Sequence, residues 1–229
     1  GFRPGGLSPL SSDPSQPPLI RYKPEYSNNI ELGLKNTLFQ NHARLNLTLF
    51  YTQLVDAQVP TLVLPDAITI IQNRGKLNSK GIELEFTAKA NTHLSIDYNA
   101  GFTHARFEKL EIAQNGTSNI YNGNKQIFTP DVVSNLALQY DQKLKNYLTA
   151  FVRTEWKYIG TTYFDLANTI EQTPYHLLNA KAGIETEKIA LYFWAKNLAG
   201  TKYISYGYDF GAVHLGDPAI WGSSLSFKF

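Results

Sequence analysis

The side chains of this 229-residue chain that could do chemistry are few and scattered. Five histidines stand at positions 42, 93, 104, 176 and 214. Imidazole serves as a metal ligand or a general base, but no two of these have the spacing of a shared metal site. Glu83 and Glu85, two residues apart, fall on one side of a strand. Paired carboxylates can do acid–base work, and they can equally line a polar surface and pair with Arg44 or Lys89. Cysteine is absent, which removes disulfides, thiolate metal sites and cysteine nucleophiles. No G-x-S-x-G elbow occurs, and the glycine-rich GFRPGG and YGYDFG lack the strand–loop–helix setting of a phosphate cradle. The expectation is therefore no catalytic, cofactor or metal site. Binding chemistry is better represented. Arg74, Arg106, Tyr121, Tyr163, Phe164, Tyr206, Tyr208 and Phe210 lie outside the regular segments. Aromatic faces give large contact area at low entropic cost, and guanidinium groups pair with anions.

The segments that must position these residues are strands. NIELGLKNTLF sets Ile30, Leu32, Leu34 and Leu38 against Glu31 and Lys35. ARLNLTLFYT, GIELEFTAKA and LSIDYNAGF alternate in the same way, and further strands fit about 131–141, 146–159, 175–185, 189–197 and 219–229. A tenth fits the opening GFRPGG. Across the nine longer strands the apolar register holds no Asp, Glu, Lys or Arg. With 17% of residues charged overall, a set that size free of charge arises by chance only about 2 times in 10,000. One face of the sheet is closed to charge. A protein core and a lipid bilayer would both impose that rule.

Connection lengths discriminate between them. Short turns near Gln40–Ala43, Asn91–His93, Gln142–Lys145 and Thr186–Lys188 alternate with long stretches at 7–28, 57–74, 107–130, 160–174 and 198–218. In an antiparallel barrel this places all short turns at one end and all long connections at the other, as in outer-membrane barrels. Tyr51, Trp156, Tyr158 and Trp221 stand towards the long connections, and Tyr140 and Phe229 towards the short turns, as two interfacial girdles. No apolar run reaches the ~18 residues of a membrane helix. The net charge of +2, without basic blocks, gives no nucleic-acid signature.

Six stretches in order, RYKPEYSNNIELGLK, NRGKLNSKGIELEF, TPDVVSNLALQY, YHLLNAKAGI, WAKNLAGTKYI and WGSSLSFKF, resemble the C-terminal β-barrel portion of TonB-dependent outer-membrane receptors of the ferric-siderophore type. The resemblance spans nearly the whole chain. It implies an all-β, antiparallel transmembrane barrel of 22 strands, of which residues 1–229 would supply about the last ten. It further implies that a plug domain and the earlier strands lie outside this chain, with TonB contacted through that plug. The implied partners are a ferric siderophore or similar large nutrient, outer-membrane lipid and the barrel-assembly machinery. Ligand would be met by the loop aromatics and arginines named above. Trp221, Leu225, Phe227 and Phe229 match the terminal alternating pattern that the assembly machinery reads.

Two other functions stay open on the residues alone. One is a ten-stranded outer-membrane enzyme of protease type, with two acidic residues and a histidine at its rim. The other is a soluble β-rich binding module, with the apolar register buried against protein.

Overall fold

The computed structural model of the chain describes residues 1–7, 21–63, 68–114, 117–208 and 211–227. Ten strands pair in one antiparallel sheet, each beside its predecessor. They are β1 (Phe2–Arg3), β2 (Glu25–Leu38), β3 (Ala43–Val55), β4 (Lys76–Lys89) and β5 (Leu94–Lys109). β6 (Val132–Lys145), β7 (Leu148–Ile159), β8 (Tyr175–Glu185), β9 (Ile189–Lys196) and β10 (Ile220–Phe227) complete it. Among the described residues β1 and β10 are its two edges, and no hydrogen bond joins them.

Residues directly opposite in a sheet share a face, so the pairing tests the alternation strand by strand. Leu34 faces Leu47, which faces Leu84, and Ile82 faces Phe102. Tyr98 faces Leu136, Leu136 faces Trp156, and Trp156 faces Leu178. Ala180 then faces Ala195, and Leu191 faces Leu225. Every junction between long strands puts the charge-free register on the same side. A single-residue slip would have thrown charged residues such as Glu31, Glu83 or Lys181 onto that side. The face is open rather than covered: Leu32 is 70% exposed and Trp221 85%. These exposures do not match a soluble module whose apolar register is buried in protein. It is the lipid face, and the opposite register faces the lumen.

At one end the strands reverse within a few residues. Phe39, Gln40 and Asn41 take positive φ between β2 and β3. The Asn91 side chain accepts from the amides of His93 and Leu94, 2.8 Å each, between β4 and β5. Thr186 Oγ1 accepts from Ile189 N at 2.9 Å between β8 and β9. The turn expected at Gln142–Lys145 lies further on. β6 runs to Lys145 and reverses at Asn146–Tyr147, because a bulge between Lys143 and Lys145 lets pairing with β7 continue. The tenth strand, read in GFRPGG, is the short pairing of Phe2 with Tyr26 and of Arg3 with Glu25.

Each long connection carries a two-stranded hairpin of its own: 6–7 with 21–22, 58–63 with 68–73, 111–114 with 117–120, 162–163 with 171–172, and 204–207 with 213–215. The buried hydrophobic cluster sits at this end. Leu77 and Phe107, opposite each other on the luminal register, pack with Ala57, Val59, Leu110 and Ile112 from the connections. The sheet proper has little core; its apolar face is kept for lipid.

Candidate functional site

The long connections are fastened to one another by side-chain amides that read backbone as a strand would. Asn73 Oδ1 accepts from Lys23 N at 2.5 Å, and Asn73 Nδ2 donates to Lys23 O at 2.8 Å. Asn168 repeats the clasp on Lys125: Oδ1 accepts from its N at 2.6 Å, and Nδ2 donates to its O at 3.1 Å. Asn124 Nδ2 adds a bond to Leu166 O at 2.8 Å, and Phe128 N one to Tyr163 O at 2.9 Å. Gln172 Oε1 accepts from Ile204 N at 2.7 Å, tying the fourth connection to the fifth. Asn168 has φ +58°, a backbone state that asparagine tolerates better than most residues. Neutral amides thus do the positioning.

These clasps assemble an aromatic cluster from three connections. Phe128 lies 5.7 Å from Phe164 and 5.2 Å from Tyr206, ring centre to ring centre, and Tyr206 lies 4.6 Å from Tyr208. Phe164 is 7% exposed and forms the floor. Phe128, Tyr206 and Tyr208, at 43%, 40% and 42%, present their faces. Beside them Lys125 Nζ stands 5.3 Å from the Tyr163 ring and forms an ion pair with Asp131. A partly exposed aromatic surface with a cation at its margin suits a large ligand with apolar and anionic parts.

Of the residues singled out from sequence, Tyr163, Phe164, Tyr206 and Tyr208 come together here. Tyr121 instead packs on the hydrophobic cluster of Leu77 and Phe107. Arg74 Nε donates to Gln72 Oε1 at 2.8 Å, within its own connection. Arg106 lies on the outward register, opposite Asn78, and donates to Gly123 O at 2.6 Å. Phe210 and Phe229 lie outside the described residues, whereas Trp221, Leu225 and Phe227 share the outward register of β10. Phe128 was missed because it sits in no alternating run; its proximity to Pro130 is the only local signal.

The luminal wall carries a second group of polar residues. Arg153 bridges Asp97 at 3.2 Å and Glu155 at 3.1 Å. Lys181, directly opposite Arg153, lies 3.6 Å from the Tyr192 ring centre. With Trp194 and Lys196 they border an open groove of about 300 Å³. Glu85 accepts from Asn46 Nδ2 at 3.1 Å rather than from Arg44 or Lys89. The reason is register: Asn46 is its direct opposite, while Arg44 faces Thr87. Ser205 Oγ lies 3.0 Å from His214 Nδ1, but the hydroxyl also lies 3.0 Å from the His214 carbonyl, a local hairpin contact. Among the described residues no three His, Asp or Glu side chains gather as a metal site.

Comparison with known proteins accounts for the architecture. The family described as TonB dependent receptor-like, beta-barrel matches residues 1–198. The pesticin receptor of Yersinia pestis is 26% identical over 215 residues, covering 93% of this chain and 30% of that protein. The ferrioxamine receptor of Yersinia enterocolitica is 32% identical over 162 residues, 68% of this chain and 21% of that protein. The crystal structure of the ferric yersiniabactin uptake receptor FyuA from Yersinia pestis superposes with a TM-score of 0.81 at 23% identity, over 100% of this chain and 34% of that one. The siderophore receptor PiuA from Acinetobacter baumannii gives 0.69 at 22% identity, over 88% of this chain and 28% of that one. The chain thus spans about a third or less of the length of these relatives. With its charge-free apolar face, its one-ended long connections and this match, the chain belongs to the TonB-dependent receptor β-barrel family of the Gram-negative outer membrane.

Proposed function

We propose that residues 1–229 form part of the barrel wall of a receptor for TonB-dependent uptake of a ferric siderophore or a similar large nutrient. The plug and the other strands would be supplied from outside this chain, and TonB would act through that plug. The aromatic cluster of Phe128, Phe164, Tyr206 and Tyr208 is the observation that carries the reading, because it joins three connections at the end that faces the exterior in this family. Tyr163 and Lys125 would extend the contact surface, and Arg74 and Phe210 stay candidate ligand contacts by residue type alone. The names of the relatives support a ferric chelate as the ligand class. A receptor rather than an enzyme fits a site built of rings and neutral amides. Trp221, Leu225, Phe227 and Phe229 are proposed as the assembly signal.

The test uses the whole protein. Tyr206→Ala with Tyr208→Ala should weaken ferric-siderophore binding about tenfold, the scale of losing central aromatic contacts. Surface abundance should hold. Phe229→Ser should do the reverse, lowering abundance and sparing affinity. Unaltered affinity in the double tyrosine variant would sink the site.

A further inference from the structure

The outward register is free of charge up to a definite row and then changes character. Leu49, Ile82 and Phe102 stand side by side as the last apolar row on β3, β4 and β5. Two residues further towards the long connections, the row reads Tyr51, Lys80, His104. The next row reads Gln53, Asn78, Arg106. Two residues of strand advance about 7 Å along the chain, and less along the membrane normal in a tilted barrel strand. Lys80 and His104 therefore stand within the headgroup layer above the hydrocarbon, and the long Arg106 side chain starts at its upper margin.

The groups here are organised for an anion. Arg106 Nε donates to His104 Nε2 at 3.1 Å and its Nη1 to Gly123 O at 2.6 Å, which fixes the guanidinium beside the imidazole. The nearby acidic group on this face, Glu108, is already engaged, by Lys76 Nζ at 3.0 Å and Asn78 Nδ2 at 2.7 Å. Lys80 is exposed and has no hydrogen-bond or ion-pair partner among the described residues. On β7 and β8 the outward register instead carries the rings of Trp156, Tyr158 and His176 towards the long connections, with centres 5.1–6.5 Å apart. The interfacial belt is aromatic on one part of the sheet and basic on another.

We propose that Lys80, His104 and Arg106, with Tyr51 beside them, form a binding site for the phosphate of an anionic lipid headgroup in the outer leaflet. The occupant follows from position. The site is continuous with the lipid-facing band on the outward register, and Lys125, paired by backbone with Arg106 but held by Asp131, marks its border with the aromatic cluster. Cations at the interface attract anionic headgroups, and the Arg106 fork adds directional hydrogen bonds to phosphate oxygens. The inference rests on the outward register meeting lipid, and it is independent of which nutrient the receptor takes.

The experiment is native mass spectrometry of the whole protein released from nanodiscs of equal phosphatidylglycerol and phosphatidylcholine, which share acyl chains and differ in net charge. The wild type should retain phosphatidylglycerol preferentially. Lys80→Gln, which removes no described contact, should lower that preference about fivefold, and Lys80→Gln with Arg106→Gln by more. Lys157→Gln, on the luminal register of β7, should leave it unchanged. Ferric-siderophore affinity should stay at the wild-type value in Lys80→Gln, which separates this site from the ligand site. Equal retention of the two lipids by the wild type, or an unaltered preference in Lys80→Gln, would overturn the proposal. Displacement of the lipid by millimolar inorganic phosphate would overturn the lipid source and leave a free-phosphate site.

Discussion

Leu47 and Thr48 are neighbours in sequence with opposite surroundings. Leu47 faces Leu34 on one side and Leu84 on the other, midway down the lipid face of β3. Thr48 faces Glu83 on the luminal side. Lysine at Leu47 or Leu84 places an ammonium near the bilayer midplane and should cost about 2–4 kcal/mol. Lysine at Thr48 meets a carboxylate across the strand and should be close to neutral. Urea titration of the whole protein in lipid vesicles reads both, and equal costs for Leu47→Lys and Thr48→Lys would mean that the two registers do not separate lipid from lumen. The alternation that assigns these faces was open to reading because it repeats on nine strands. The aromatic cluster was only half readable. Tyr163, Phe164, Tyr206 and Tyr208 stand out by type, but Phe128 meets them through a fold-back of its connection that no periodic pattern encodes. The same holds for Arg106, whose outward position follows from the length of β5, two turns of alternation beyond the run visible in LSIDYNAGF.

At the scale of elements, the long connections behave as joined hairpins because of a few neutral side chains. Asn168 is the clearest. It contacts both polar backbone groups of Lys125 and also donates to Asp165 O at 3.2 Å. Removing it leaves the Lys125 amide without that partner, at a cost of about 1–3 kcal/mol where the group stays shielded from water. Asn168→Ala should therefore raise amide hydrogen exchange in 122–128 and 161–170 together, with 204–207 less affected. Asn168→Gly separates two causes. Glycine accepts φ +58° freely but offers no amide. Exchange in Asn168→Gly should resemble Asn168→Ala; a return to wild-type protection would show that backbone conformation, rather than the clasp, is what Asn168 supplies. Sequence placed the connections as long loops and missed their hairpins, since strands of two to six residues are too short for alternation to declare itself.

For the whole molecule the consequence lies in the edges. β1 covers only the start of β2, through Tyr26 and Glu25, with Gly1 reaching Ser27. The rest of β2 pairs on one side with β3, and β10 pairs on one side with β9. In hydrocarbon each unpaired backbone group costs several kcal/mol, so ten strands with two bare edges are not a stable end state in a bilayer. Two outcomes would satisfy those edges: added strands, as in the longer relatives, or sealing of β10 onto β2 as a small pore. Among the described residues no hydrogen bond joins β10 to β1 or β2, which favours the first. The lack of native cysteine makes the choice testable, because an engineered pair has no competitor. Gly33→Cys on β2 and Ser224→Cys on β10 both lie on the luminal register. Expressed alone and refolded in detergent, residues 1–229 with both substitutions should give disulfides between copies and species that associate edge to edge. A monomer with an intramolecular disulfide and the heat-modifiable mobility of a closed barrel would show that ten strands seal by themselves. The small-barrel enzyme would then displace the receptor wall as the better reading, because a lumen of that width leaves no room for a plug.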